Sequence, residues 1–284
     1  MRFLFVFFAF VSFSLFVNGQ KLPVAWEELT ASDFTEAVKK SEGVCVIPMG
    51  VIEKHGQHLP VGTDVYIARE ITLRAAEKEY CIVFPFHCVG QNFVATPQPG
   101  TIAYSSDLMY MWLDETCREI ARNGIKKIIL LNSHGGNTNL LNFFLQKQME
   151  SPKDYVVYMT GAAPDAETQK KIRALSKATN DGHAGESETS QMMVIRPDLV
   201  IMERAAVESF HNQNLLPLGG MTGLRWYAQY PNHLAGDPKT ANAEYGEAII
   251  EGHVATLSQI IKEVKADKAT LQLQEEFFKK SRFP

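Results

Sequence analysis

The sequence predicts an α/β fold, a mostly parallel sheet covered by helices on both faces. Short runs that are apolar throughout, such as Val44 to Gly50 and Lys127 to Asn132, alternate with segments of helical periodicity. That is the pattern of strands buried between two helix layers. Polar stretches rich in His and Gly follow two of these strands directly, and parallel sheets collect ligands at their carboxyl ends.

Each element follows from its own residues. Trp26 to Lys40 reads as an opening helix and Val44 to Gly50 as a buried strand that ends in glycine. A His-rich loop comes next, then apolar positions at helical spacing from Val65 to Glu79 and a second apolar strand from Cys81 to Phe86. Residues 105 to 123 read as a helix stopped at Asn123-Gly124, before the continuous apolar strand Lys127 to Asn132. Thr138 to Gln148 predicts a further helix and Tyr155 to Met159 a fourth strand. The Gly-, Pro- and Asn-rich stretch from about 211 to 240 reads as a long ordered excursion, a lid or an oligomer contact, and Ala241 to Lys262 as the closing helix.

The first nineteen residues stand apart. Arg2, the apolar run from Phe3 to Phe16 and Val17-Asn18-Gly19 have the form of a cleaved export signal. The apolar run is shorter than the ~20 residues that span a bilayer, so no stable membrane anchor is expected after cleavage. The mature protein is expected to be periplasmic or secreted, with residues 20–284 forming one domain. Export permits disulfides. Cys45 and Cys81 read as buried small hydrophobes, while a bridge involving Cys88 or Cys117 stays open.

A formal net charge of −4 and a pI near 6.1 provide no basic field for phosphates, which excludes nucleic acid as an expected partner. The chemistry lies in three segments. In the first, Glu53 and His55 emerge on one side of an extended stretch and Asp64 can return to meet them, although its position before a helix also suits an N-cap. In the second, His134 is followed by Gly135 and Gly136, which clear space beside the imidazole. In the third, His183, Glu186 and Glu188 precede a helix, as a metal-ligand and proton-transfer cluster or as a solvated helix start. Imidazole and carboxylate donors without thiolate suit Zn²⁺, Mn²⁺ or Fe²⁺, and there are enough of them for two ions.

Together, in order and spacing, the three segments resemble those of the creatininase (creatinine amidohydrolase) family, over roughly Trp26 to Ile261. The resemblance implies a three-layer α/β/α sandwich holding two divalent ions, Zn²⁺ and/or Mn²⁺, and assembly as a homo-hexamer. It also implies hydrolysis of a C–N bond in a small cyclic amide or formamide by a metal-activated water. By resemblance, Glu53, Asp64 and His134 hold one ion, and His55 with the shared Asp64 holds the other. Where the creatinine enzymes have an aromatic residue and a Glu ligand, this chain has Gly135 and Gly136. Glu186 is the expected replacement, because those enzymes carry an apolar residue there. Glu188 matches a Glu they share and is expected, with His183, on the catalytic side. The departures make creatinine a poor expectation as substrate. Two rivals stand beside this reading, a two-metal phosphoesterase and an exported metal- or ligand-binding protein without turnover. His58, His87, His211, His233 and His253 read as structural, surface or packing residues.

Overall fold

The computed structural model describes residues 21–205 and 207–281, so the export signal expected over 1–19 lies outside the described residues. α1 (Ala31–Lys40) begins at Thr30, whose hydroxyl oxygen accepts the Asp33 amide hydrogen at 3.2 Å. That cap corrects the single helix read from Trp26 to Lys40, since Trp26–Glu28 is a separate 3-10 turn. β1 (Val44–Met49) is buried along its whole length, and α2 (Thr63–Lys78) leads back to β2 (Ile82–Val83). The apolar run Cys81 to Phe86 yields only two ladder residues. Pro85 within it has no N–H to give to a ladder.

α3 (Ser106–Arg122) leads to β3 (Lys127–Asn132), and α4 (Asn137–Lys147) to β4 (Val156–Thr160). The order across the sheet is β2-β1-β3-β4, with every pairing parallel. After the sheet come α5 (Ala166–Arg173), α6 (Glu186–Ile195), α7 (Arg225–Gln229), α8 (Ala243–Ala266) and α9 (Ala269–Lys280).

Successive strand residues point to opposite faces, and this alternation builds two cores. Val44, Val46, Ile129 and Leu131 pack with Ile67 and Ile71 of α2 and with Ile250, Val254 and Leu257 of α8. On the other face, Cys45, Ile47, Ile128 and Leu130 pack with Leu113 and Cys117 of α3 and Leu141 and Phe144 of α4. The result is the three-layer α/β/α sandwich. Each such fully buried side chain contributes about 1.5–3 kcal/mol by leaving water. All four cysteines are free thiols, and Cys117 lies in the core beside Cys45, away from any bridge. No helix among the described residues is long and apolar enough to cross a membrane.

Candidate metal centre

The carboxyl end of β1 meets the start of α2 at unusually close range. A Cβ on Gly50 would lie 2.5 Å from the Asp64 carbonyl carbon and from the Val65 nitrogen, so only glycine lets the two segments touch. Asp64 therefore sits inside the first turn of α2 and not ahead of it as an N-cap. The positive end of the helix dipole favours its charge there. Glu53, His55 and Asp64 converge in the interior, each no more than 2% exposed.

His134 reaches the same place from the end of β3. Its Nε2 lies 2.9 Å from the Gln91 carbonyl oxygen; a carbonyl can only accept, so Nε2 carries the hydrogen. Asn137 pins that carbonyl's residue by accepting the Gln91 amide hydrogen at 2.8 Å. The other ring nitrogen, Nδ1, is then directed at Asp64 Oδ2, 3.0 Å away, and Glu53 Oε1, 3.3 Å away. Both oxygens are buried with no hydrogen-bond partner. Three electron-rich atoms facing one point need a positive charge between them.

His55 repeats the arrangement. Its Nδ1 donates to the Glu53 main-chain carbonyl at 3.2 Å, and its Nε2 faces Asp64 Oδ1 at 3.1 Å and Glu188 Oε2 at 3.7 Å. Asp64 thus gives one carboxylate oxygen to each group. His183 joins the second group, its ligand atom within 4.8 Å of those of His55 and Glu188. Its Nε2 donates to the Lys54 carbonyl at 2.8 Å, which leaves the lone pair on Nδ1. Nitrogen and carboxylate donors around two points that share one Asp fit a pair of divalent cations.

Glu186 does not come to this cluster, which corrects the expected ligand set. Its carboxylate accepts from Ser176 Oγ at 2.6 Å and from the Lys177 and Ala178 amides at 3.0 Å. Side chains two apart on an α-helix point about 200° apart, so one of Glu186 and Glu188 had to face away. Glu188 is the one turned inward. Nor could a side chain return at Gly136, where a Cβ would stand 2.5 Å from both the Gln91 carbonyl oxygen and His134 Nε2.

His233, read from the sequence as surface or packing, is instead a neighbour of the cluster: its Nε2 lies 3.3 Å from Glu53 Oε2. Nothing local in the excursion announces this; the indole N–H of Trp226, from the same excursion, donates to His233 Nδ1 at 3.0 Å. The remaining histidines are elsewhere. His58 bonds the Thr189 hydroxyl at 2.9 Å, His87 is buried between the Val89 carbonyl and Trp112, His253 packs within α8, and His211 is exposed. Lys54, the cation nearest the motifs, is also engaged. Its ammonium bonds Glu208 at 2.6 Å and the Asn232 carbonyl at 2.8 Å, clipping the excursion that carries those residues onto the loop that carries Glu53 and His55.

Charge in the cluster is strongly coupled. Burial opposes a charged His55, but Asp64, then Glu188 and Glu53, outweigh it and push the imidazole up to about 10. Burial likewise opposes charge on His134, and the adjacent Asp64 and Glu53 carboxylates hold it well above the ordinary value. For Glu188 burial prevails over the attraction of His55 and raises the carboxyl to about 7. Burial, reinforced by His55, pushes His183 down to about 3. The cluster opens on a cavity of about 820 Å³ whose lining is largely apolar and includes Phe93, Val94, Met109, Tyr110, Leu140 and Trp226.

The sequence model of the Creatininase family, described as creatinine amidohydrolase, matches residues 27–261. The chain belongs to the creatininase family. Creatinine amidohydrolase of Pseudomonas putida is 24% identical over 253 residues, covering 83% of this chain and 95% of that protein. The mycofactocin precursor peptide peptidase of Mycolicibacterium smegmatis is 26% identical over 230 residues, covering 78% and 86%. A crystal structure of creatinine amidohydrolase superposes with a TM-score of 0.71 at 24% identity, covering 85% of this chain and 97% of that one. This likeness establishes the creatininase fold, and the similar solved creatininases include a Zn-Zn type and a Mn form. Like its relatives in the family, the chain is a hydrolase.

Proposed function

We propose that this protein hydrolyses the C–N bond of an uncharged cyclic amide or formamide that carries an apolar group larger than creatinine. The observation that carries the reading is the pair of donor groups that meet at Asp64, one at each carboxylate oxygen, and line a largely apolar cavity. Glu53, Asp64 and His134 would hold one divalent ion, and His55, Asp64 and Glu188 the other. Bound there, such a pair supplies Lewis acidity and lowers the pKa of water toward neutrality.

The chain's own groups do the rest. The apolar lining takes the substituent and turns the carbonyl toward the donors. His183 enters with a free lone pair on Nδ1. It takes a proton as water adds to the carbonyl carbon and passes that proton to the nitrogen as the C–N bond breaks, the bond's electron pair staying with nitrogen.

Phosphoester hydrolysis fits less well. Among the described residues no Lys or Arg lines the cavity, and Lys54 is paired with Glu208. Protein loaded with Zn²⁺ or Mn²⁺ and assayed against lactams, formamides and phosphoesters tests the reading; formamides or lactams with apolar substituents are the expected substrates. Turnover confined to phosphoesters would refute it, and no turnover at all would leave a binding protein. Export belongs to the same proposal, with cleavage after Gly19 read by N-terminal sequencing of the mature chain. Homo-oligomer assembly also belongs to it, read by native mass spectrometry.

A further inference from the structure

We propose that Trp226 and His233 form a positioning pair that fixes the Glu53 carboxylate for cation binding, and that His233 is not itself a ligand. An indole N–H can only donate. Lying 3.0 Å from His233 Nδ1, it makes Nδ1 the nitrogen with the lone pair, so Nε2 carries the hydrogen. Nε2 then donates to Glu53 Oε2 across 3.3 Å. This occupies one carboxylate oxygen and leaves Oε1 facing His134.

Two further observations point the same way. His233 is 3% exposed and has φ 61°, a left-handed setting that is uncommon for a residue other than glycine. The excursion makes that left-handed turn where it delivers this imidazole to Glu53. By proximity alone, Glu53, His183 and His233 would make a third cation group, their ligand atoms within 4.8 Å. The tautomer rules that out, because a protonated nitrogen has no electron pair to give. Trp226 therefore lines the cavity with its ring and sets the ring hydrogen of His233 with its N–H. Trp226→Phe would keep the first role and delete the second.

The inference rests on reading this site as a metal centre, and not on amide turnover. NMR of ¹⁵N-histidine-labelled, zinc-loaded protein should show His233 protonated at Nε2 and unprotonated at Nδ1. Zinc affinity, measured against a competing chelator, should fall about tenfold in Trp226→Phe and about 10–100-fold in His233→Phe, the range typical when a partner of a metal ligand is lost. His233→Gln, whose amide can still donate to Glu53, should recover part of it. A merely structural role would lower thermal stability in all three variants without that split. Zinc bonded to His233 Nε2, a proton on Nδ1, or wild-type zinc affinity in Trp226→Phe would overturn the proposal. The expected tautomer and affinities in a protein that turns over no amide would support it while sinking the catalytic reading.

Discussion

Gly50 backs onto Asp64 so closely that a methyl group on its Cα would lie 2.5 Å from the Asp64 carbonyl carbon. Both neighbours are main chain, so no side-chain rotation relieves the contact. Gly50→Ala is expected to push the first turn of α2 off the end of β1. Stability should drop by about 1–3 kcal/mol, as overpacking usually costs, and the Asp64 oxygens should leave both donor groups. Thermal unfolding together with elemental analysis for zinc checks this; an unchanged zinc content would contradict it.

The two glutamates of α6 should separate cleanly. Glu188→Gln is expected to remove one of two bound ions and Asp64→Ala both, counted by native mass spectrometry. Glu186→Gln should leave the ion count unaltered. It should instead cost about 1–3 kcal/mol of stability, because the Lys177 and Ala178 amides and the Ser176 hydroxyl lose their charged acceptor.

Protons compete with cations for these donors. Asp64 and its neighbours raise His55 to about 10 against the effect of burial, so an entering ion must displace a proton held more tightly than usual. Zinc affinity should therefore weaken as pH falls, and binding near neutral pH should release protons to solution. Calorimetry in two buffers of different ionisation enthalpy measures the number released. Affinity independent of pH would refute the competition.

A separate pH dependence should arise from His87. Burial, only partly offset by its bond to the Val89 carbonyl, pushes it down to about 4. Below about 6.5, the ordinary histidine value, the unfolded chain binds a proton that the folded one refuses until about 4. Stability should therefore be lost as pH falls through that window, by up to about 3 kcal/mol. Trp112, which donates to His87 Nδ1 at 3.3 Å, offers a fluorescence probe. Urea unfolding of wild type and His87→Leu between those limits should give a shallower pH slope for the variant.

How far the sequence could be read depended on how local each signal was. β1 and β3 were legible because central parallel strands are apolar on both faces. The opening helix and β2 came out too long, because the periodicity registered neither the Thr30 cap nor the missing N–H of Pro85. Glu53, His55, Asp64 and His134 were legible as donors, since each leaves the carboxyl end of a strand or begins the next helix. The choice between Glu186 and Glu188 was not, because spacing puts both near the motif and only the rotation of α6 selects one. His233 carried no local mark at all. It arrives through the path of a long excursion, and its role exists only once Trp226 and Glu53 stand on either side of it.

The clip between Lys54 and Glu208 has an evolutionary consequence. The outer strap that lends Trp226 and His233 to the cavity is bolted to the very loop whose Glu53 and His55 are proposed to hold the ions. Descendants of this scaffold could not remodel the entrance for a new molecule without disturbing the grip, so a shift in diet would be expected to bring with it a shift in favoured metal.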